Sequence, residues 1–181
     1  MQKIGIMPKT LPRRRSLRVS TANSTIIQSW KEGISLTQDS GQTIDQLLAK
    51  VAADRWAFAS SQYAHARQLM KPRPALYRSA ISRYYYAMYH AMRACVFISN
   101  SGDEHEEHSK LPLHIPSNFD PAGRDWQAKL KSARLDRNRA DYEPYPKNNS
   151  AWRKTALALQ SDASELLKVA RQYLRRKGCA L

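Results

Sequence analysis

The chain has 181 residues, 42% of them hydrophobic and 9% aromatic, enough to fold around one core and too apolar for a disordered polypeptide. Thirty Lys and Arg against fifteen Asp and Glu leave a formal charge of +15, which favours a polyanion as partner: nucleic acid first, then an anionic membrane surface or an acidic protein. Two cysteines, Cys95 and Cys179, are too few for a disulfide framework, and no apolar run is long enough to span a bilayer, so the expected location is the cytoplasm.

Residues 1–42 are polar, carry Pro8 and Pro12, and contain no acid before Glu32. They read as a basic, largely disordered arm, with a short ordered piece around Ile26, Ile27 and Trp30. Their Arg, Ser and Thr content also fits an organellar transit peptide, and a flexible basic arm explains it equally well. Thr43-Ile44-Asp45-Gln46 has the form of a capping box and opens a first helix. Leu47, Leu48, Val51, Phe58, Ala59, Ala66, Leu69 and Met70 fall on its apolar face, and Pro72 and Pro74 end it.

A second helix is expected over about 75–98. Tyr77, Ile81, Tyr84, Tyr85, Met88, Met92 and Cys95 share one side, which should be core. Ser79, Arg83, Tyr86, His90 and Arg93 share the other, flanked by Ala80, Ala87 and Ala94, whose small side chains let another helix come close and suggest a protein–protein contact there. Residues 99–119 read as a long exposed loop with an acidic-His run from Asp103 to His108. Asp120-Pro121 then supplies a start for a third helix over about 122–139. The fourth, over about 150–177, buries Trp152, Ala156, Leu159, Ala163, Leu166, Ala170 and Tyr173. Nothing alternates with period two, so residues 43–181 are expected to form an all-α, four-helix up-down bundle with its long loop between helices 2 and 3.

Arg83 and His90 lie seven residues apart, close to two helical turns, and project from nearly the same line on the second helix. A permanently charged guanidinium beside an imidazole can stabilise a pentavalent phosphorane and move protons without a metal. A surface Arg and a His hydrogen-bonded at an interface fit the spacing as well. Among the tyrosines of that helix, Tyr86 is the one on the polar face, where it could stack on a base. His105, His108 and His114 stand near Glu104, Glu106 and Glu107, but the spacing matches no zinc pattern and they read as solvated loop residues, so neither metal nor other cofactor is expected. Arg124, Lys129, Lys131, Arg134, Arg137 and Arg139 of the third helix suit phosphate contact or local ion pairs with Asp125, Asp136 and Asp141. No Gly-rich phosphate loop and no Ser/His/Asp arrangement is present in the sequence.

The run Arg78-Ser79-Ala80-Ile81-Ser82-Arg83-Tyr84-Tyr85-Tyr86-Ala87-Met88-Tyr89-His90-Ala91 resembles the second core helix of HEPN domains, in which an Arg is followed after four to six residues by His. Arg137-Asn138-Arg139-Ala140-Asp141-Tyr142 resembles that family's Arg…Ala-Asp-Tyr segment, and the likeness spans about residues 43–177 in helix order. The resemblance implies a homodimer with a cleft at its interface, where Arg83 and His90 of both protomers converge. It further implies a metal-independent endoribonuclease, a toxin or defence effector, paired in some cases with a nucleotidyltransferase-like antitoxin. On that reading Arg83 and His90 are catalytic, Tyr86 and Arg93 shape the pocket, and Arg137 and Arg139 guide RNA. The alternative is a non-catalytic HEPN module that binds nucleic acid or such a partner.

Overall fold

The computed structural model describes residues 20–181, and every regular element among them is helical. The helices are α1 (Ser24–Ser40), α2 (Ile44–Leu69), α3 (Tyr77–Asn100), α4 (Trp126–Tyr142) and α5 (Arg153–Arg176), with 3-10 turns at Leu111–His114 and Asn149–Trp152. Contacts divide the chain into a unit ending at Ile44 and a second from Asp45 to Leu181.

The first unit holds α1, where only a short ordered piece was expected. Asn23 caps the helix by accepting a hydrogen bond from the Ile26 amide at 3.0 Å, and Gly41 ends it at φ +65°, a left-handed turn that suits glycine. None of its residues is buried. The basic run Arg13-Arg14-Arg15 and the rest of residues 1–19 lie outside the described residues.

In the second unit α3 is the central element, packed along α5 and α4. The expected core side of α3 is buried, apart from a half-buried Tyr77, and the whole predicted stripe of the last helix is buried as well, with Trp152 in the preceding 3-10 turn. The buried side of α2 includes the expected Ala59 and Ala66 but not Val51 and Phe58. Val51 and Phe58 are 40% and 49% exposed, whereas Ala52, Ala59 and Ala66, at heptad spacing, are fully buried. Ala80, Ala87 and Ala94 of α3 are also fully buried.

The side-chain pairs between these two helices run in opposite numerical order: Tyr63 meets Tyr84, Gln62 meets Arg83, Phe58 meets His90 and Arg55 meets Phe97. The helices are therefore antiparallel, and the six alanines at heptad spacing on them are all fully buried. The small-residue stripe read as a place for a partner helix is thus covered within the chain itself.

The third helix begins at Trp126, four residues later than expected. Asp120 binds the Ala122 amide and the Trp126 indole in a turn, Gly123 sits at φ +65°, and Asp125 is the cap, accepting from the Ala128 amide at 2.9 Å. The connection before it is not a freely solvated loop. Leu111 and Phe119 enter the core, and Asp103, Glu106 and His108 are tied to α2 and α3.

Candidate functional site

Helical phase carries Arg83, Tyr86, His90 and Arg93 along the side of α3 that borders α2 and the segment from Asp103 to His108. Arg83 is exposed and donates to the Oε1 of buried Gln62 at 3.1 Å, which orients the guanidinium without neutralising it. Seven residues of helix separate it from His90 by about 10 Å along the axis.

The His90 ring is enclosed by aromatic groups. Phe58 meets it edge-on at 4.7 Å between centroids, Tyr89 does the same at 4.9 Å, and Tyr86 lies parallel at 6.2 Å. Burial pushes the imidazole down from 6.5 to about 4, with Arg93, His108 and Arg55 adding repulsion. His90 is therefore uncharged at neutral pH, a state in which it can accept a proton.

Arg93 is engaged within the chain. Its guanidinium pairs with Asp103, and with Glu106 at 2.7 Å. Asp103 receives Arg55 as well, through bonds of 2.6 and 2.7 Å, so one carboxylate bridges α2 and α3. The bonds from Arg55 and Arg93 hold its carboxyl far below the usual carboxylate range. Tyr86 accepts a hydrogen bond from Arg137 at 2.8 Å, and Arg137 also pairs with Asp141 at 2.7 Å. Arg137 thereby joins the α3 face to α4, whereas Arg139 is exposed one position beyond Asn138 and makes no ion pair among the described residues. Lys131 and Arg134 are likewise without a carboxylate partner there, but Lys129 pairs across to Asp162 and Arg124 to Glu165 and Asp120, so those two expected phosphate ligands are committed to α5 and the turn.

His108, expected to be solvated, packs into this cluster. Its ring stacks on Tyr89 with centroids 3.9 Å apart, its Nδ1 is hydrogen-bonded to the Tyr85 hydroxyl, and Tyr86 meets it edge-on. Burial, with Arg134, Arg137 and Arg93 nearby, lowers its pKa. His105 and His114 stack on each other at 3.4 Å instead.

The face therefore brings together Arg83, Tyr86, His90 and Arg93, with Arg137 joined through Tyr86, and leaves Arg139 at its margin. Sequence reasoning passed over Gln62, Phe58 and Arg55. Their signal was faint: a glutamine amid the alanine stripe, and an arginine and a phenylalanine among ordinary helix residues. The arrangement offers one neutral imidazole, one unneutralised guanidinium and a π-face, a set suited to a phosphodiester.

Among the described residues no helix is long and apolar enough to cross a membrane. No curated protein and no solved structure matches the chain. The family model for the HEPN domain matches residues 52–178, from the buried Ala52 of α2 past the end of α5. The chain thus belongs to the HEPN domain family, which points to a nucleic-acid-related and often ribonucleolytic role.

Proposed function

We propose that the protein is a metal-independent endoribonuclease of the HEPN type that acts as a cytoplasmic toxin or defence effector. The underlying architecture is an up-and-down four-helix bundle over residues 43–181, with its long connection between the second and third bundle helices and a separate basic arm before it. Two copies form a homodimer whose cleft receives Arg83 and His90 from each side. Neutral His90 takes the proton of a ribose 2′-hydroxyl, that oxygen attacks the adjacent phosphorus, and Arg83 holds the phosphorane oxygens. The 5′-oxygen leaves with a proton, supplied from His90 of the partner subunit or from water, and the products are a 2′,3′-cyclic phosphate and a 5′-hydroxyl. Tyr86 and Arg93 border the scissile bond, and Arg137 and Arg139 guide the strand. A nucleotidyltransferase-like antitoxin is the partner that family membership suggests.

The observation that carries this reading is the uncharged His90 on the same helix face as an Arg83 that pairs with no carboxylate among the described residues. The test is digestion of RNA in the presence of a chelator by the parent, Arg83→Ala and His90→Ala proteins, each checked for helicity. Cleavage should survive chelation, yield the cyclic phosphate, and fall by about a hundredfold or more in each variant. A parent protein that cuts no RNA, or a His90→Ala protein that cuts as well as the parent, overturns the proposal.

The enclosure of His90 favours a second reading. Phe58 and Tyr89 cover the ring, and a pKa near 4 leaves little protonated imidazole to serve as an acid at neutral pH. A non-catalytic module binding nucleic acid or a nucleotidyltransferase-like partner would bear the same features. RNA affinity that falls steeply with salt, with no cleavage, selects it.

A further inference from the structure

Beside the α3 face lies a groove of about 360 Å³ between the Asp103–Lys110 segment and α4, lined by His108, Ser109, Lys131, Arg134, Leu135 and Asn138. We propose that this groove is a subsite for a backbone phosphate of the RNA strand that crosses the Arg83/His90 face. The inference rests on the reading of that face as an RNA site.

Charge is the first support. The lining includes two cations and no carboxylate, and neither Lys131 nor Arg134 makes an ion pair among the described residues. Of the acids on the flanking segments, Asp141 pairs with Arg137, Glu107 with Lys110, and Asp103 and Glu106 with Arg93, while burial pushes the carboxyl of Asp136, next to Leu135, up. An anion entering the groove meets two cations that form no ion pair among the described residues.

Hydrogen-bonding direction is the second. The Asn138 carbonyl oxygen accepts from Arg137 at 3.1 Å, which leaves the amide NH₂ as a donor. The Tyr85 hydroxyl and Nδ1 of His108 share a hydrogen bond, which leaves Nε2 as the second polar atom of that ring. Ser109 adds a hydroxyl. The groove thus offers donors from Lys131, Arg134, Asn138 and Ser109 and a single apolar wall at Leu135, the composition that suits an oxyanion.

Position is the third. Tyr86 and Tyr89 stand between the two histidines, Tyr89 at 3.9 Å from His108 and 4.9 Å from His90, and Tyr86 at 6.1 and 6.2 Å. One layer of rings separates the groove from the candidate reacting face. A strand lying over both passes the partly exposed Tyr86 and places a flanking phosphate among Lys131, Arg134 and Asn138.

The test uses the full chain and a fluorescent uridine dodecamer lacking a terminal phosphate, with affinity measured by anisotropy from 50 to 300 mM NaCl. Each phosphate contact on a single strand contributes about 0.7 to the slope of log affinity against log salt. Lys131→Gln/Arg134→Gln removes one such contact and should therefore flatten that slope by about 0.7. The exposed pair Lys154→Gln/Lys168→Gln, an equal loss of charge elsewhere, should leave it within error.

Equal flattening by both pairs, or none by the first, overturns the subsite. Inorganic phosphate at constant ionic strength should compete poorly. Full displacement of the dodecamer by 10 mM phosphate would mark a site for the free anion and also overturn the inference. Slope changes as expected in a protein that never cuts RNA would leave the subsite standing and remove the ribonuclease reading alone.

Discussion

Phe58→Ala tests the physical basis of the His90 assignment. Phe58 is half exposed, and its ring meets the imidazole edge-on at 4.7 Å. Its loss admits water to His90 rather than opening a closed cavity. Burial is the largest contribution to a pKa lowered from 6.5 to about 4, and part of that contribution goes with the ring. The expected rise is about 1 unit, equivalent to about 1.4 kcal/mol between the two protonation states.

The sign for stability follows from the same shift. The folded pKa lies below the unfolded one, so the unfolded chain binds the extra proton as pH falls from 6.5 towards 4, and stability is lost across that window. For a partly exposed ring the His90 contribution to that loss is about 2 kcal/mol after allowing for solvent screening. The assay is an NMR titration of the imidazole in parent and Phe58→Ala, the His90 signal being identified by its absence in His90→Gln. Urea unfolding at pH 7.5 and 4.5 accompanies it, with His90→Gln as the reference. If His90 titrates near 6.5 in the parent, or if its pKa is unmoved by Phe58→Ala, the burial argument is wrong.

Asp103→Asn leaves Arg55 and Arg93 facing a neutral amide and should cost about 2 kcal/mol at pH 7 by urea unfolding. Because the folded Asp103 pKa is depressed, its contribution is complete above the ordinary carboxylate value of about 3.9 and fades as pH falls below it. Parent and variant should therefore converge in acid, and equal stability at pH 7 refutes the bridge. Tyr85→Phe removes only the hydroxyl bonded to His108 Nδ1 and should cost about 1 kcal/mol. It should also move the ¹⁵N resonance of that nitrogen; an unchanged resonance shows that the bond does not set the tautomer.

The helices were legible where one periodic face meets a core. The alternation of Ile81, Tyr84, Tyr85, Met88, Met92 and Cys95 placed the buried side of α3, and the Leu159–Tyr173 stripe placed that of α5. The start of α4 was missed because two aspartates compete as caps, and the left-handed Gly123 gives the role to Asp125. Val51 and Phe58 were misplaced because the broad apolar face that also holds Ala59 and Ala66 is buried at its alanines and open to solvent at these two residues. Arg83, Tyr86, His90 and Arg93 share a face, as their spacing demands. What helical phase does not encode is which loop folds back upon that face. His108 and Asp103 belong to a segment with no period, and their contacts depend on Tyr85, Tyr89, Arg55 and Arg93 supplied by two other helices.

At six fully buried positions, three on α2 and three on α3, nothing wider than a methyl group is present. The helix contributing three of those methyls also carries Phe58, which shades His90, and Gln62, which steadies Arg83. The shade over the imidazole and the hold on the guanidinium thus come from one neighbouring helix, and a shift of α2 along α3 would move both together.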